Sequence, residues 1–173
     1  MAIIKTLRGV TPKIGKNCFI AETAVIIGDV EIGDDCSIWY GAVIRGDVNS
    51  IRIGNRVNIQ DNAVLHTTYQ KTTIKMGDDV SVGHNVIVHG AEVQNGALLG
   101  MGSTVMDNSI IGEGAIVAAN ALVLENTKVE AGTIYAGVPA KFVKKVDPVL
   151  SRDMNERIAR NYLFYSGWYK NDK

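Results

Sequence analysis

From Ile14 onward an aliphatic residue returns at every sixth position, and a small residue follows it four places later: Ile14 with Cys18, Ile20 with Ala24, Ile32 with Cys36, Ile38 with Ala42. The aliphatic series runs through Ile14, Ile20, Ile26, Ile32, Ile38, Ile44, Ile53, Ile59, Leu65, Met76, Val82, Val88, Val93, Leu99, Val105, Ile111, Val117, Val123 and Val129, and Tyr135 continues it weakly. Three steps slip. Ile44 to Ile53 is three residues too long, Leu65 to Met76 five too long, and Val88 to Val93 one too short. A six-residue period suits one short strand and one turn, and three such units close a triangular coil of eighteen residues. The pattern predicts an all-β chain of almost seven such coils. They would stack in parallel at about 4.8 Å with the aliphatic residues inside the prism. Loops at the corners absorb the slips, and the Gly, Asn and Asp residues between repeats suit turn conformations.

Beyond the repeats the period changes. Asp147-Pro148 reads as an N-cap followed by the first helical residue, and Leu150, Met154, Ile158, Tyr162, Tyr165 and Tyr169 follow at three- and four-residue spacing. A C-terminal amphipathic helix is expected, laid along the outside of the prism or across a subunit boundary, because its apolar stripe has nothing of its own to bury against. One domain results: a lead-in strand over 1–13, the repeat body over 14–140 and the helix over 147–170.

Composition narrows the partners. The chain has 173 residues, 46% hydrophobic and 21% charged, with eighteen basic residues balancing eighteen acidic ones. No net field or Lys/Arg cluster draws it to nucleic acid or an anionic membrane, and no apolar run approaches the length of a membrane span. A cytoplasmic protein with neither partner is expected. Cys18 and Cys36 stand eighteen apart at the corner position, so they are expected to stack as inert core residues on adjacent coils.

The candidate chemistry lies in the three histidines, His66, His84 and His89. His66 follows Leu65 by one and His89 follows Val88 by one, so both leave the third side of their coils from stacked positions. His84 follows Val82 by two and leaves from the second side. Zinc held by three neutral imidazoles keeps a fourth position for water and lowers the pKa of that water to about 7. Arg45 falls directly below His66 and Asp61 below His84. A guanidinium and a carboxylate beside a metal can orient its hydroxide and bind an anionic product. Alone, any of these residues would be an ordinary surface group. The five-residue separation of His84 from His89 spans up to about 16 Å when extended, which points to a site completed by the His84 of another copy.

Arg45-Gly-Asp47, Asn58-Ile-Gln60-Asp61-Asn62, His66, and the run from Val82-Gly-His84 to His89-Gly90 resemble, in order and spacing, the motifs of gamma-class carbonic anhydrases. The resemblance covers essentially the whole chain. It implies a left-handed parallel β-helix, a homotrimer, and Zn2+, with Fe2+ or Co2+ as alternatives, acting on carbon dioxide and bicarbonate. It further implies that His66, His84 and His89 are metal ligands and that Gln60 holds the metal-bound hydroxide. Arg45, Asp47 and Asp61 would form the surrounding ion pairs and bicarbonate contacts. Tyr162 resembles a tyrosine that approaches the metal, and a core role is the other reading of it. Two places depart from the best-studied members: Val48 stands where they carry glutamate, and Thr67-Thr-Tyr-Gln-Lys71 replaces an acidic loop. Neither supplies a carboxylate to carry the proton away, so turnover is expected to lean on external buffer.

Two other readings remain. Hexapeptide repeats also mark acyl-coenzyme A transferases, and Ala136-Gly-Val-Pro-Ala-Lys141 resembles the end of their repeat domain, although a chain exit from the last coil needs the same residues. Such a transferase requires a free histidine as base, so a coenzyme A reaction here would fall to zinc-bound water, as in a thioesterase. The last reading is a non-catalytic metal-binding or assembly subunit.

Overall fold

The computed structural model describes residues 1–171, without side chains at 148, 150–156, 159, 170 and 171. Among these residues are twenty strands and one helix, Pro148–Asn171, and the strands wind a parallel solenoid of about seven turns. The inward column is the six-residue series itself. Ile26, Ile38, Ile44, Ile59, Leu65, Val82, Val88, Leu99, Val105, Ile111, Val117, Val123 and Val129 are fully buried in one continuous core. At about 25 cal/mol per Å2 of apolar surface, burial of this ladder is the main term favouring the fold.

Each coil turns at a residue with positive φ. One corner uses Asn17, Asp35, Arg56, Asp79, Gly96, Gly114 and Gly132, and the next uses Gly41, Asn62, Asn85, Gly102 and Asn120. Glycine, asparagine and aspartate bear the left-handed conformation most easily, which explains their recurrence between the aliphatic positions.

The three slips all fall at one corner, in successive coils. The strand Val43–Ile53 rounds it and pairs with Val25–Ile32, but its register shifts between Gly28 and Val30, so residues 47–50 bulge opposite Asp29. One coil on, residues 67–73 form a loop between the strands Val64–His66 and Ile74–Met76. In the next coil the chain turns tightly at Gly90, whose φ is 58°. The bulge, the loop and the tight turn follow directly on Arg45, His66 and His89.

Residues 1–13 join the sheet as its first rung: Ile3–Lys5 pairs with Val25–Ile27, and Lys13 pairs with Glu31. Cys36 is buried and Cys18 half-buried, and their thiols donate to the carbonyls of Gly54 and Gly33, each at 3.2 Å. The contact with Cys18 and burial push the Cys36 thiol far up, consistent with inert packing. Residues 136–141 form the turn of an antiparallel hairpin that joins Thr133–Ala136 to Lys141–Lys145, which is the chain exit.

The helix lies along the outside of the second face, near the strands Ser37–Ile38, Asn58–Ile59 and Ser81–Val82. The Asp147 carboxylate accepts from the Val149 amide at 2.8 Å, as an N-terminal cap should. Tyr162, Tyr165 and Tyr169 pack on an aromatic cluster around Phe19, Trp39 and Tyr40. The side chains of Leu150 and Met154, the first two positions of the expected stripe, lie outside the described residues.

Candidate metal centre

Val88 pairs with Leu65 and Leu65 with Ile44, so His89, His66 and Arg45 project in one column from the third face. Asp47, in the bulge, takes an ion pair from Arg45 and accepts from His66 Nε2 at 3.0 Å. His89 Nδ1 lies 2.7 Å from Asp107 Oδ1. Each imidazole therefore gives one nitrogen to a carboxylate. The two remaining nitrogens, His66 Nδ1 and His89 Nε2, face each other at 3.3 Å.

That pair of nitrogens is where a cation fits. An ionised carboxylate only accepts, so the nitrogen facing it carries the proton and the other presents a lone pair. Two lone pairs pointed at each other repel unless something positive lies between them. Tetrahedral Zn–N bonds of about 2.0–2.1 Å set neighbouring ligand nitrogens about 3.3 Å apart, which is the spacing here. Burial works to raise the Asp47 carboxyl, but the Arg45 and His66 hydrogen bonds and the Arg45 charge outweigh it and hold it below the usual range. For Asp107 burial again acts upward and is outweighed, by Thr68, His89 and Thr72. Both carboxylates stay ionised at neutral pH and keep orienting their imidazoles.

His84 belongs to a separate cluster on the second face. Its Nδ1 lies 2.8 Å from Asp61 Oδ2, and its Nε2 lies 3.3 Å from the Tyr162 hydroxyl. Tyr162 stands edge-on to Trp39, with ring centroids 5.3 Å apart, and lines a pocket of about 430 Å3 with Asp61, His84, Tyr165 and Trp168. Burial, then the charge of Asp61, push its phenol up to about 12, so at neutral pH it is an uncharged hydroxyl. Tyr162 thus both packs against the core of the helix interface and reaches a histidine.

Arg45, Asp47, His66 and His89 come together, and so do Asp61, His84 and Tyr162; the ion pair that Asp61 forms among the described residues is with His84. Gln60 is buried and donates to Asn58 Oδ1 at 2.9 Å, while Asn58 donates to Ser81 at 2.7 Å. No group of three or more His, Cys, Asp or Glu side chains is placed to hold a metal among the described residues of a single chain. Asp107, Thr72 and Asn49 carry no motif of their own, and Thr68 stands out in the sequence only as part of the departure over 67–71. Asp107 was within reach of the register, since it follows Val105 by two in the coil above His89.

A family model described as bacterial transferase hexapeptide (six repeats) matches residues 11–46 and 90–125, and with the parallel solenoid this agrees with a hexapeptide-repeat β-helix of left-handed type. The chain is 46% identical over 168 residues to a carbonic anhydrase of Geobacillus kaustophilus, covering 97% of this chain and 91% of that protein. It is 50% identical to a probable carbonic anhydrase of Methanocaldococcus jannaschii, covering 85% and 92%. It therefore belongs to the gamma-class carbonic anhydrase family. The match to the mitochondrial gamma carbonic anhydrase 2 of Arabidopsis thaliana, at 44% identity, covers 79% of this chain and only 51% of the plant protein. The fold also superposes on a Bacillus cereus structure described as a candidate acetyltransferase, with a TM-score of 0.94, 41% identity and 99% of both chains covered. Family membership implies a metal cofactor in general. No helix among the described residues is long and apolar enough to cross a membrane.

Proposed function

We propose that this protein catalyses the reversible hydration of carbon dioxide. In this reading His66 and His89 of one copy and His84 of a neighbouring copy hold a divalent metal in a homotrimer. The observation that carries it is the facing pair of imidazole nitrogens 3.3 Å apart, each ring braced by its own carboxylate. When bound, zinc would supply a Lewis acid that makes water a nucleophile near neutral pH, and Fe2+ or Co2+ suits the same nitrogen ligands. Asp47, Asp107 and Asp61 orient the three imidazoles. Arg45 would meet an anionic product, and Gln60, hydrogen-bonded to Asn58, would orient the attacking water.

The outward columns of the faces support the shared site. On the first face Lys13, Glu31, Arg52, Lys75 and Glu92 stack as a charged, solvated ladder. On the third face the equivalent positions are Val25, Val43, Val64 and Ile87. An apolar outer column beside His66 and His89 suits a face covered by another copy. The cytosol is the compartment this reading assigns.

Proton removal is the weak step. Val48 lies with Asp47 and Asn49 along a pocket of about 330 Å3, with no carboxylate of its own to offer. The rate at saturating carbon dioxide is expected to rise with imidazole concentration, and Val48→Glu to raise the rate in dilute buffer. Stopped-flow hydration across a buffer series checks this, and a fast buffer-independent rate would show that another residue carries the proton. The likeness to a candidate acetyltransferase favours one second reading, an acyl-coenzyme A transferase or thioesterase. Calorimetric titration with coenzyme A separates the two, since the anhydrase reading expects no binding.

A further inference from the structure

Asp107 receives more hydrogen bonds than orienting one histidine requires. Its Oδ1 accepts from His89 Nδ1 at 2.7 Å and from the Thr72 hydroxyl at 3.4 Å, and its Oδ2 accepts from the Thr68 hydroxyl at 2.6 Å. The Thr68 amide donates to Thr72 Oγ1 at 3.0 Å, which directs the Thr72 proton onward to Asp107. Asn49, two residues past Asp47 in the bulge, donates through Nδ2 to the carbonyls of Thr68 at 2.9 Å and Thr72 at 2.8 Å. The hydroxyl protons of Thr68 and Thr72 both point at one carboxylate, which as an acceptor leaves His89 the role of donor at Nδ1.

The backbone is built around the same contact. A Cβ at Gly90 would collide with Asp107 Oδ1 and with Thr72 Oγ1, so the residue after His89 must be glycine for the loop and Asp107 to close over it. The Asn108 amide donates to the Gly90 carbonyl at 2.8 Å, which ties the Asp107 segment to this turn. The bulge, the loop and the tight turn thus form one hydrogen-bonded latch.

We propose that Asp107 is a positioning residue that fixes the His89 tautomer with Nε2 free and latches residues 67–73 to it. The loop and the metal-facing nitrogen are then ordered as a unit. The metal part rests on the proposed function; the tautomer and the loop do not. The test begins with the metal-free protein, reading the His89 ring by 15N NMR at fixed alkaline pH and the loop by amide exchange. Wild type is expected to show the Nδ1–H tautomer and a protected Thr68 amide. Asp107→Ala is expected to shift His89 toward a mixture of tautomers and speed Thr68 exchange by at least about tenfold. Asp107→Asn preserves an acceptor for His89 and is expected to keep the Nδ1–H signal. Zinc affinity, measured by chelator competition, is expected to fall about 10- to 100-fold in Asp107→Ala and less in Asp107→Asn. Thr68→Val, which leaves His89 and Asp107 intact, is expected to speed loop exchange and serves if the alanine variant does not fold. Unchanged tautomer and exchange in folded Asp107→Ala, or unchanged exchange in Thr68→Val, would overturn the latch. A normal latch response with no zinc binding in wild type would instead count against the proposed function alone.

Discussion

If the proposed trimer shares its metal sites, equal amounts of His84→Ala and His66→Ala protein, each expected to be inactive alone, are expected to recover about one-quarter of wild-type hydration when unfolded together and refolded. His66 and His89 leave the third face, whereas His84 is held on the second by Asp61 and Tyr162. A site shared across a boundary uses the pair from one copy and His84 from the next. His84→Ala subunits keep the pair and His66→Ala subunits keep His84, so each mixed trimer contains one boundary with all three ligands. Random assembly makes about three-quarters of trimers mixed, each with one site in three intact, which gives about one-quarter. Bound metal should return in the same proportion. If all three ligands came from one chain, no mixture could rebuild a site, and the co-refolded sample would stay inactive.

Arg45→Ala is expected to lower hydration by about 10²-fold while leaving metal content and melting temperature near wild type. The Arg45 side chain is 41% exposed. An ion pair that open to water contributes at most about 1 kcal/mol to stability. Asp47 keeps its contact with His66 without it, so the site should assemble and lose chiefly its anion contact. Gln60→Ala is a poorer probe: Gln60 is buried, and its loss leaves Asn58 Oδ1 without its donor at a cost of about 1–3 kcal/mol. Metal analysis, thermal melting and stopped-flow rates on the same Arg45→Ala sample check the prediction. Dispersal of the trimer with full activity in the remaining assembly would make Arg45 a subunit contact instead.

The six-residue period foretold the coils because it is the packing rule of the core: Ile44, Leu65 and Val88 are aliphatic for the same reason that they are buried. The stacking of His66 on His89 followed from that register. The slips were legible as irregularities, and counting the repeats in threes puts all of them at the step from the third side to the first; what the count does not give is the form each takes, a bulge at 47–50, a loop over 67–73 and a tight turn at Gly90. The register puts Asp107 in the coil above His89, but nothing in the sequence singles it out there. It has no motif of its own, and its meaning comes from a loop that folds back across a coil to bring Thr68 and Thr72 to it. Tyr162 was placed on a helix by its spacing, but its contact with His84 depends on the docking of the helix over Trp39, which periodicity does not specify.

The most direct test of the central claim is stopped-flow hydration of carbon dioxide by anaerobically purified protein of known metal content, assayed as isolated, after chelation and after reloading with zinc, iron or cobalt. The account predicts hydration that scales with metal bound, disappears with the chelator and returns on reloading. A trimer with its histidine sites fully loaded and no hydration above the buffer rate would contradict it, and would make the protein a metal-binding assembly subunit rather than an enzyme.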